Sequence, residues 1–347
     1  MKTRFSIAAA AALAVTVALG GASPASADAV ADFYRGKTVR IIVAAGPGGN
    51  HTRYSLLLAP YFQKYTPGNP KFIIQNMGGA GGTKAANYLY NSAPQDGTYI
   101  GILLSDTPMA SRLRAVGVKY NPKHFQYLGG ADYTRSMITV MKRAGVSSIA
   151  EARLKQVVFG STGKGSQTYT IPTTVNALLG TKFKVITGYR GMNGVDAAVD
   201  KGEVDGRAGV YASIVAIRPQ WIENDLVTHL GVADLEPNPN VPGVPLLIDM
   251  AKSEDDKAVM RLIFGSGVIG RAWLAPPGVP ADRVAALRTA FAKALNDPEV
   301  AAAAKKRRMH WDPQPWQKLQ AAVTRIADTD DKVIARARKA LGLKSKK

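Results

Sequence analysis

Two glycine turns carry the residue types best suited to chemistry in this chain. The first is Gly46-Pro47-Gly48-Gly49-Asn50-His51. The second enters from Gly160 and runs Ser161-Thr162-Gly163-Lys164-Gly165-Ser166-Gln167. Each follows a short apolar run with strand character and precedes apolar residues at helical spacing. Such a turn presents the free N–H groups of a helix N-terminus beside a strand's carboxyl end. The helix dipole adds roughly half a positive charge there, and glycines let a ligand approach the backbone closely. The chemistry this suits is capture of an anion. A single glycine turn fits a purely conformational role equally well; two matching turns argue for a site that grips one carboxylate from opposite sides. Three cations lie nearby: Lys164 inside the second turn, Arg190 in Gly188-Tyr189-Arg190-Gly191, and Arg53 just past the first turn. A guanidinium can hold a carboxylate through two parallel hydrogen bonds.

Signals for catalysis are sparse. The histidines are His51, His124, His229 and His310, and no two stand at the i, i+4 spacing of a zinc protease. No Gly-x-Ser-x-Gly elbow is present. The first turn lacks the Gly-x-Gly-x-x-Gly spacing of dinucleotide sites. The second resembles a phosphate loop, but Gly165 stands where serine or threonine would reach magnesium. Glu203 and Asp205 lie two apart in a glycine-flanked segment, which in a strand puts them on one face; Asp205 is kept as a candidate ligand contact beside a turn-forming role. There is no cysteine, which excludes disulfides, thiolate metal sites and a cysteine nucleophile. No metal site and no cofactor are expected. The enzymatic alternative is a hydrolase using His51 with Glu203 or Asp205.

The elements that position these turns alternate in type. Strands are predicted at 38–45, 71–76 and 99–104, with helices at 52–65 and 83–91 between them; a further glycine loop, residues 78–82, precedes the second helix. This βαβαβ series predicts a parallel, doubly wound sheet. The pattern recurs with strands at 136–141, 156–159, 183–187 and 204–210 and helices at 166–179 and 193–201. Past a strand at 268–274, the chain reads as helical at 280–296, from Asp297 as N-cap with Pro298 at the first helical position, and at 324–341. Two similar sheets with no low-complexity linker imply two lobes joined by crossing strands. Residues 28–133 with 268–347 form the first lobe in this reading, and 134–267 the second.

The first residues set the compartment. Lys2 and Arg4 precede an apolar run from Ile7 to Leu19, and Ala25-Ser26-Ala27 supplies small residues. This is the pattern of a cleaved secretory signal over residues 1–27, and the run is shorter than the ~20 residues that span a bilayer. The net charge of +20 would suit nucleic acid, yet the basic residues are dispersed. The clusters at 305–308 and at Lys344, Lys346 and Lys347 adjoin no aromatic platform. No nucleic-acid partner is therefore expected; a basic surface instead raises the arrival rate of anionic solutes or serves general solubility.

Several motifs taken in order resemble one family. They are Phe33-Tyr34-Arg35-Gly36-Lys37-Thr38-Val39 before the Gly-Pro-Gly-Gly turn, Gln75-Asn76-Met77 running into Gly78-Gly79-Ala80-Gly81-Gly82, and Ala93-Pro94-Gln95-Asp96-Gly97-Thr98. The two turn motifs at 160–166 and 188–191, and Leu274-Ala275-Pro276-Pro277-Gly278-Val279-Pro280, complete the series. Together they resemble the Bug-type receptors of tripartite tricarboxylate transporters. The resemblance implies an α/β, two-lobed periplasmic-binding-protein fold of the Venus-flytrap, type II-like kind, with a parallel-rich sheet flanked by helices in each lobe. It implies a non-enzymatic receptor that holds a small organic anion between residues 46–51 and 161–167 and delivers it to two integral membrane permease subunits; a monomer is the default expectation for a hinged receptor. A receptor that signals to a membrane kinase is the other alternative. The chain departs from the family at Asn50 and Thr52, where relatives commonly carry glycine and aspartate, and at Tyr169, where many carry histidine. Loss of the acid, with His51 and Arg53 nearby, implies a more positive pocket.

Overall fold

A computed structural model describes residues 24–113 and 117–343. The expected signal segment up to residue 23 and the basic tail from Lys344 lie outside the described residues. The helix Pro24–Tyr34 runs through the expected cleavage point after Ala27.

Among the described residues, ten strands form two five-stranded sheets. The strands are β1 Thr38–Val43, β2 Lys71–Asn76, β3 Tyr99–Ile102, β4 Gln126–Gly130, β5 Ser136–Met141, β6 Val157–Ser161, β7 Phe183–Thr187, β8 Gly206–Val210, β9 Val227–Ala233 and β10 Ala272–Ala275. One sheet has the order β2-β1-β3-β10-β4 and the other β7-β6-β8-β5-β9. The two orders superimpose, with β6, β7 and β8 standing where β1, β2 and β3 stand. Both sheets are mixed. In the first, β10 alone runs against its neighbours β3 and β4; in the second, β5 alone runs against β8 and β9. Each is the first strand the chain lays down after crossing into that lobe, so the crossing itself reverses its direction.

Burial on both faces explains the near-continuous apolar strands. In β1, Val39, Ile41 and Val43 point into a core with Phe62, Trp273 and Phe291. Ile42 points the other way, toward Ala86 and Leu89. That is the period of two expected of a strand. Phe62 and Phe291 pack with tilted rings, 4.8 Å between centroids, and bind the helix Asn50–Tyr65 to the helix Ala281–Leu295. Each such buried aromatic contributes about 1.5–3 kcal/mol relative to exposure.

Sequence and structure differ at the C-terminus. The helix expected over 324–341 is two helices, Trp316–Ala327 and Asp331–Ala340. Asp330 caps the second of these by accepting from the Lys332 N–H at 2.7 Å, which restarts the helix. That helix, expected with the first lobe, packs on helices of both lobes, with ion pairs from Arg112 to Asp331 and from Arg336 to Asp256. The strand expected over 268–274 is a short 3-10 turn, Gly267–Ile269, followed by β10. Asp297 caps its helix as expected, accepting from Glu299 N–H at 2.9 Å.

The lobes are joined by two segments lying side by side, residues 131–135 and 265–271. Thr134 N–H donates to the Gly267 carbonyl at 3.0 Å and Ala131 N–H to the Arg271 carbonyl at 3.1 Å. The approach is close enough to require glycine. At Gly270, φ is +46°, and a Cβ there would lie 1.7 Å from the Asp132 carbonyl oxygen.

Candidate functional site

The carboxyl ends of β1 and β3 in one sheet and of β6 and β8 in the other open on a cavity of about 610 Å³ between the lobes. The helix Asn50–Tyr65 begins there with Gly49 as N-cap, and the helix Gln167–Leu179 with Ser166 as N-cap. Gly49 has no side chain to offer and the Ser166 hydroxyl does not bond its helix, so the first amides of both helices have no side-chain cap. Local packing holds the turns in shape. Asn76 donates to the Ala45 carbonyl at 2.9 Å and to Thr52 Oγ1 at 2.7 Å. In the second turn, Thr162 Oγ1 donates to Ser166 Oγ at 2.8 Å, and Thr162 N–H donates to Thr168 Oγ1 at 3.0 Å.

The expected site residues divide by position. Gly46, Pro47, Gly49, Asn50 and His51 line the cavity from the first lobe; Thr162, Ser166, Gln167 and Arg190 line it from the second. Gly48, Ser161 and Gly163 shape the turns without lining the cavity. Lys164 and Gly165 face a separate cavity of about 150 Å³ beside Met109 and Leu341. Asp205 lies just before β8, at the strand's opposite end from the cavity. Its carboxylate accepts the Val158 N–H at 2.8 Å and fixes the register of β6 against β8. Glu203 is exposed and pairs with Lys201. Neither acid comes near His51, so the residues of the hydrolase alternative are not brought together.

The expectation of added positive charge from His51 and Arg53 does not hold. Burial, with the Arg271 charge adding to it, pushes the His51 imidazole down to about 3, so the ring is neutral. Its Nε2 is buried with no partner among the described residues. Arg53 turns away to donate to the Arg307 carbonyl at 2.9 Å. Tyr169 does not line the cavity; Thr168, its neighbour, does.

Among the described residues, the cationic groups that do line the cavity are Arg190 and Arg271. Arg190 is exposed at the N-cap of the helix Gly191–Asp200. Arg271 was not legible in sequence, because nothing local distinguishes it: it reaches the cavity floor on the second crossing segment. It pairs with Asp132 of the first crossing, both side chains being buried. The Arg271 Nε has no partner among the described residues. Asp132 also accepts from His310 Nδ1 at 2.6 Å, and that bond raises the His310 pKa. The Tyr54 hydroxyl donates to the His310 carbonyl and lies 3.4 Å from Asp132, while the Arg271 guanidinium sits 4.9 Å above the Tyr54 ring. Ser105, Asp106 and the loop Gly78–Gly82 also face the cavity. The loop's signal was visible as a third strand–glycine–helix junction.

Gln167 bridges the lobes directly. From the start of its helix in the second lobe, its Nε2 lies 3.4 Å from Ser105 Oγ in the first and 3.2 Å from Ser266 Oγ on the crossing; its Oε1 accepts from Ser136 at 2.9 Å. Among the described residues, no group of three or more histidine, aspartate or glutamate side chains is arranged to hold a metal.

Two mixed sheets flanked by helices, with strand ends facing a shared cleft, define the two-lobed fold of periplasmic binding proteins. Among solved structures, BugD, a periplasmic binding protein, is similar over 88% of this chain and 98% of its own, with TM-score 0.67 and 18% identity. A TctC solute-binding protein from Polaromonas is similar over 89% of this chain and 99% of its own, with TM-score 0.62 and 18% identity. MatC from Rhodopseudomonas palustris, solved with bound malate, covers 88% of this chain and 99% of its own, with TM-score 0.64 and 21% identity. No protein-family model matches the chain, and no curated protein matches it in sequence.

Proposed function

We propose that this chain is a periplasmic receptor of the Bug type, which closes on a small organic acid and presents it to integral membrane permease subunits without transforming it. One observation carries the reading: two uncapped helix N-termini, one from each lobe, open on the same cavity with Arg190 and Arg271 on its wall. A carboxylate placed there gains amide donors, two helix dipoles and guanidinium charge together. Contacts to both lobes favour the closed arrangement over the open one, which is the differential affinity a hinged receptor needs. MatC, similar in fold, holds malate; a dicarboxylate suits a cavity with one cation on the second lobe and another at its floor. The signal-like N-terminus supports export, after which the receptor acts as a monomer.

A thermal-shift screen tests this. Mono-, di- and tricarboxylates, amino acids and sulfonates are each added to the purified mature chain. A ligand at about 100 times its Kd stabilises the folded state by about 2.7 kcal/mol, so a dicarboxylate is expected to raise Tm by several degrees. Turnover of ester or phosphate substrates, or the absence of any carboxylate response, would overturn the proposal.

A further inference from the structure

Adjacent residues on the first crossing segment face opposite ways. Thr134 lines the inter-lobe cleft, whereas Tyr133 lines a second cavity of about 590 Å³. The second crossing divides in the same manner: Gly270 and Arg271 face the cleft, Gly265 and Val268 the second cavity. The two cavities thus lie back to back across the crossing segments and are nearly equal in volume. The remaining walls of the second come from both lobes, namely the helix Glu254–Phe264 and the helices Trp316–Ala327 and Asp331–Ala340.

Its chemistry is that of an amphipathic site. Leu262, Val268, Ile326 and Val333 make the interior apolar, and Arg261, Lys318 and Arg325 stand at it with, among the described residues, a single acid, Glu236. That acid is already paired with Arg135 at 3.5 Å, and Arg261 with Glu254 at 3.1 Å. Lys318 and Arg325 form no ion pair among the described residues; Lys318 lies 5.6 Å from the Tyr133 ring centroid. Tyr133 is itself fixed, its hydroxyl donating to buried Asp234 at 2.6 Å. Pockets of roughly 300–1,000 Å³ with apolar walls and a few placed polar groups are the usual form of small-molecule sites. An apolar interior with two uncompensated cations selects a negatively charged head on an apolar tail.

We propose that this cavity behind the crossing segments binds a small amphipathic carboxylate, its tail among Leu262, Val268 and Ile326 and its headgroup at Lys318 and Arg325. Because Tyr133 and Val268 belong to the segments that must flex when the lobes move, occupancy there is coupled to occupancy of the cleft, reciprocally.

Octanoate is the probe, with acetate as the headgroup-only control, titrated calorimetrically into four proteins: the wild type, the charge-reversed Lys318→Glu/Arg325→Glu, the cavity-filling Ala258→Trp, and Arg190→Ala in the cleft. Circular dichroism checks that each folds. Octanoate is expected to bind the wild type and Arg190→Ala alike, and to bind the charge-reversed and cavity-filled proteins at least tenfold more weakly; acetate is expected not to bind the cavity. Three outcomes overturn the proposal: no octanoate binding to the wild type, binding lost in Arg190→Ala but kept in both cavity variants, or binding that none of the substitutions changes. The charge-reversed pair changes only exposed side chains, so it remains informative even where Ala258→Trp fails to fold.

Discussion

Asp132 and Arg271 stand on the two separate segments that carry the chain between its lobes, and their buried side chains form an ion pair beneath the inter-lobe cleft. The pair closes a loop of contacts, since Asp132 also holds His310 and Arg271 also rests on Tyr54. It ties the crossing segments, the cleft floor and the C-terminal part of the first lobe to one point.

Removing one partner leaves the other as an uncompensated buried charge, which costs about 3–5 kcal/mol. Asp132→Ala is expected to lose stability on that scale in urea unfolding. A loss below about 1 kcal/mol would mean that water or a neighbour already satisfies Arg271 without Asp132.

Gln167 tests the inter-lobe latch. Its hydrogen bonds to Ser105 and Ser266 join the lobes, and a neutral hydrogen bond contributes about 0.5–1.5 kcal/mol net. Gln167→Ala is expected to weaken dicarboxylate affinity about 3- to 10-fold and to enlarge the unliganded radius of gyration in X-ray scattering. An unchanged scattering profile would remove the latch role.

Arg190 is the second-lobe cation available to an anion. Charge-assisted hydrogen bonds contribute about 1.5–3 kcal/mol, so Arg190→Ala is expected to lower dicarboxylate affinity about 10- to 100-fold. Its Tm without ligand should match the wild type, because the side chain is exposed. Calorimetric titration reads the first outcome and a melting curve the second.

His51 makes stability depend on pH with a definite sign. Its folded pKa, about 3, lies below the ordinary value of about 6.5. Between these values the unfolded chain holds a proton that the folded chain does not, so acidification favours unfolding; above about pH 6.5 the penalty vanishes. His229, pushed down to about 4 by burial, acts in the same direction. Asp234, pushed up to about 6 by burial, acts oppositely: its favourable effect at low pH fades as pH rises to 6. His310, raised by Asp132, also favours folding at low pH and loses that effect as pH rises through its folded pKa. His51→Asn is expected to lose less stability than the wild type between about pH 7 and pH 4. Parallel stability curves from urea unfolding would show that His51 is not held neutral.

Sequence alone determined the parts of this protein that depend on local chemistry. Strand β1 is legible because valine and isoleucine dominate a short run, Val39 to Val43, and the glycine turns after β1 and β6 because a helix must start there. Repetition of strand, turn and helix was enough to place two sheets and a cleft at their carboxyl ends. Tertiary structure decided what depends on partners far apart in the chain. Arg271 became a cleft residue because a crossing segment passes the floor beside Asp132, 139 positions away. Asp205 became a register residue because β6 offers it an N–H. The charge of His51 was set by the burial around it, which no neighbour in sequence encodes. Spacing along a chain fixes which groups a turn or a helix presents; only folding fixes which dielectric and which counter-charge each group meets.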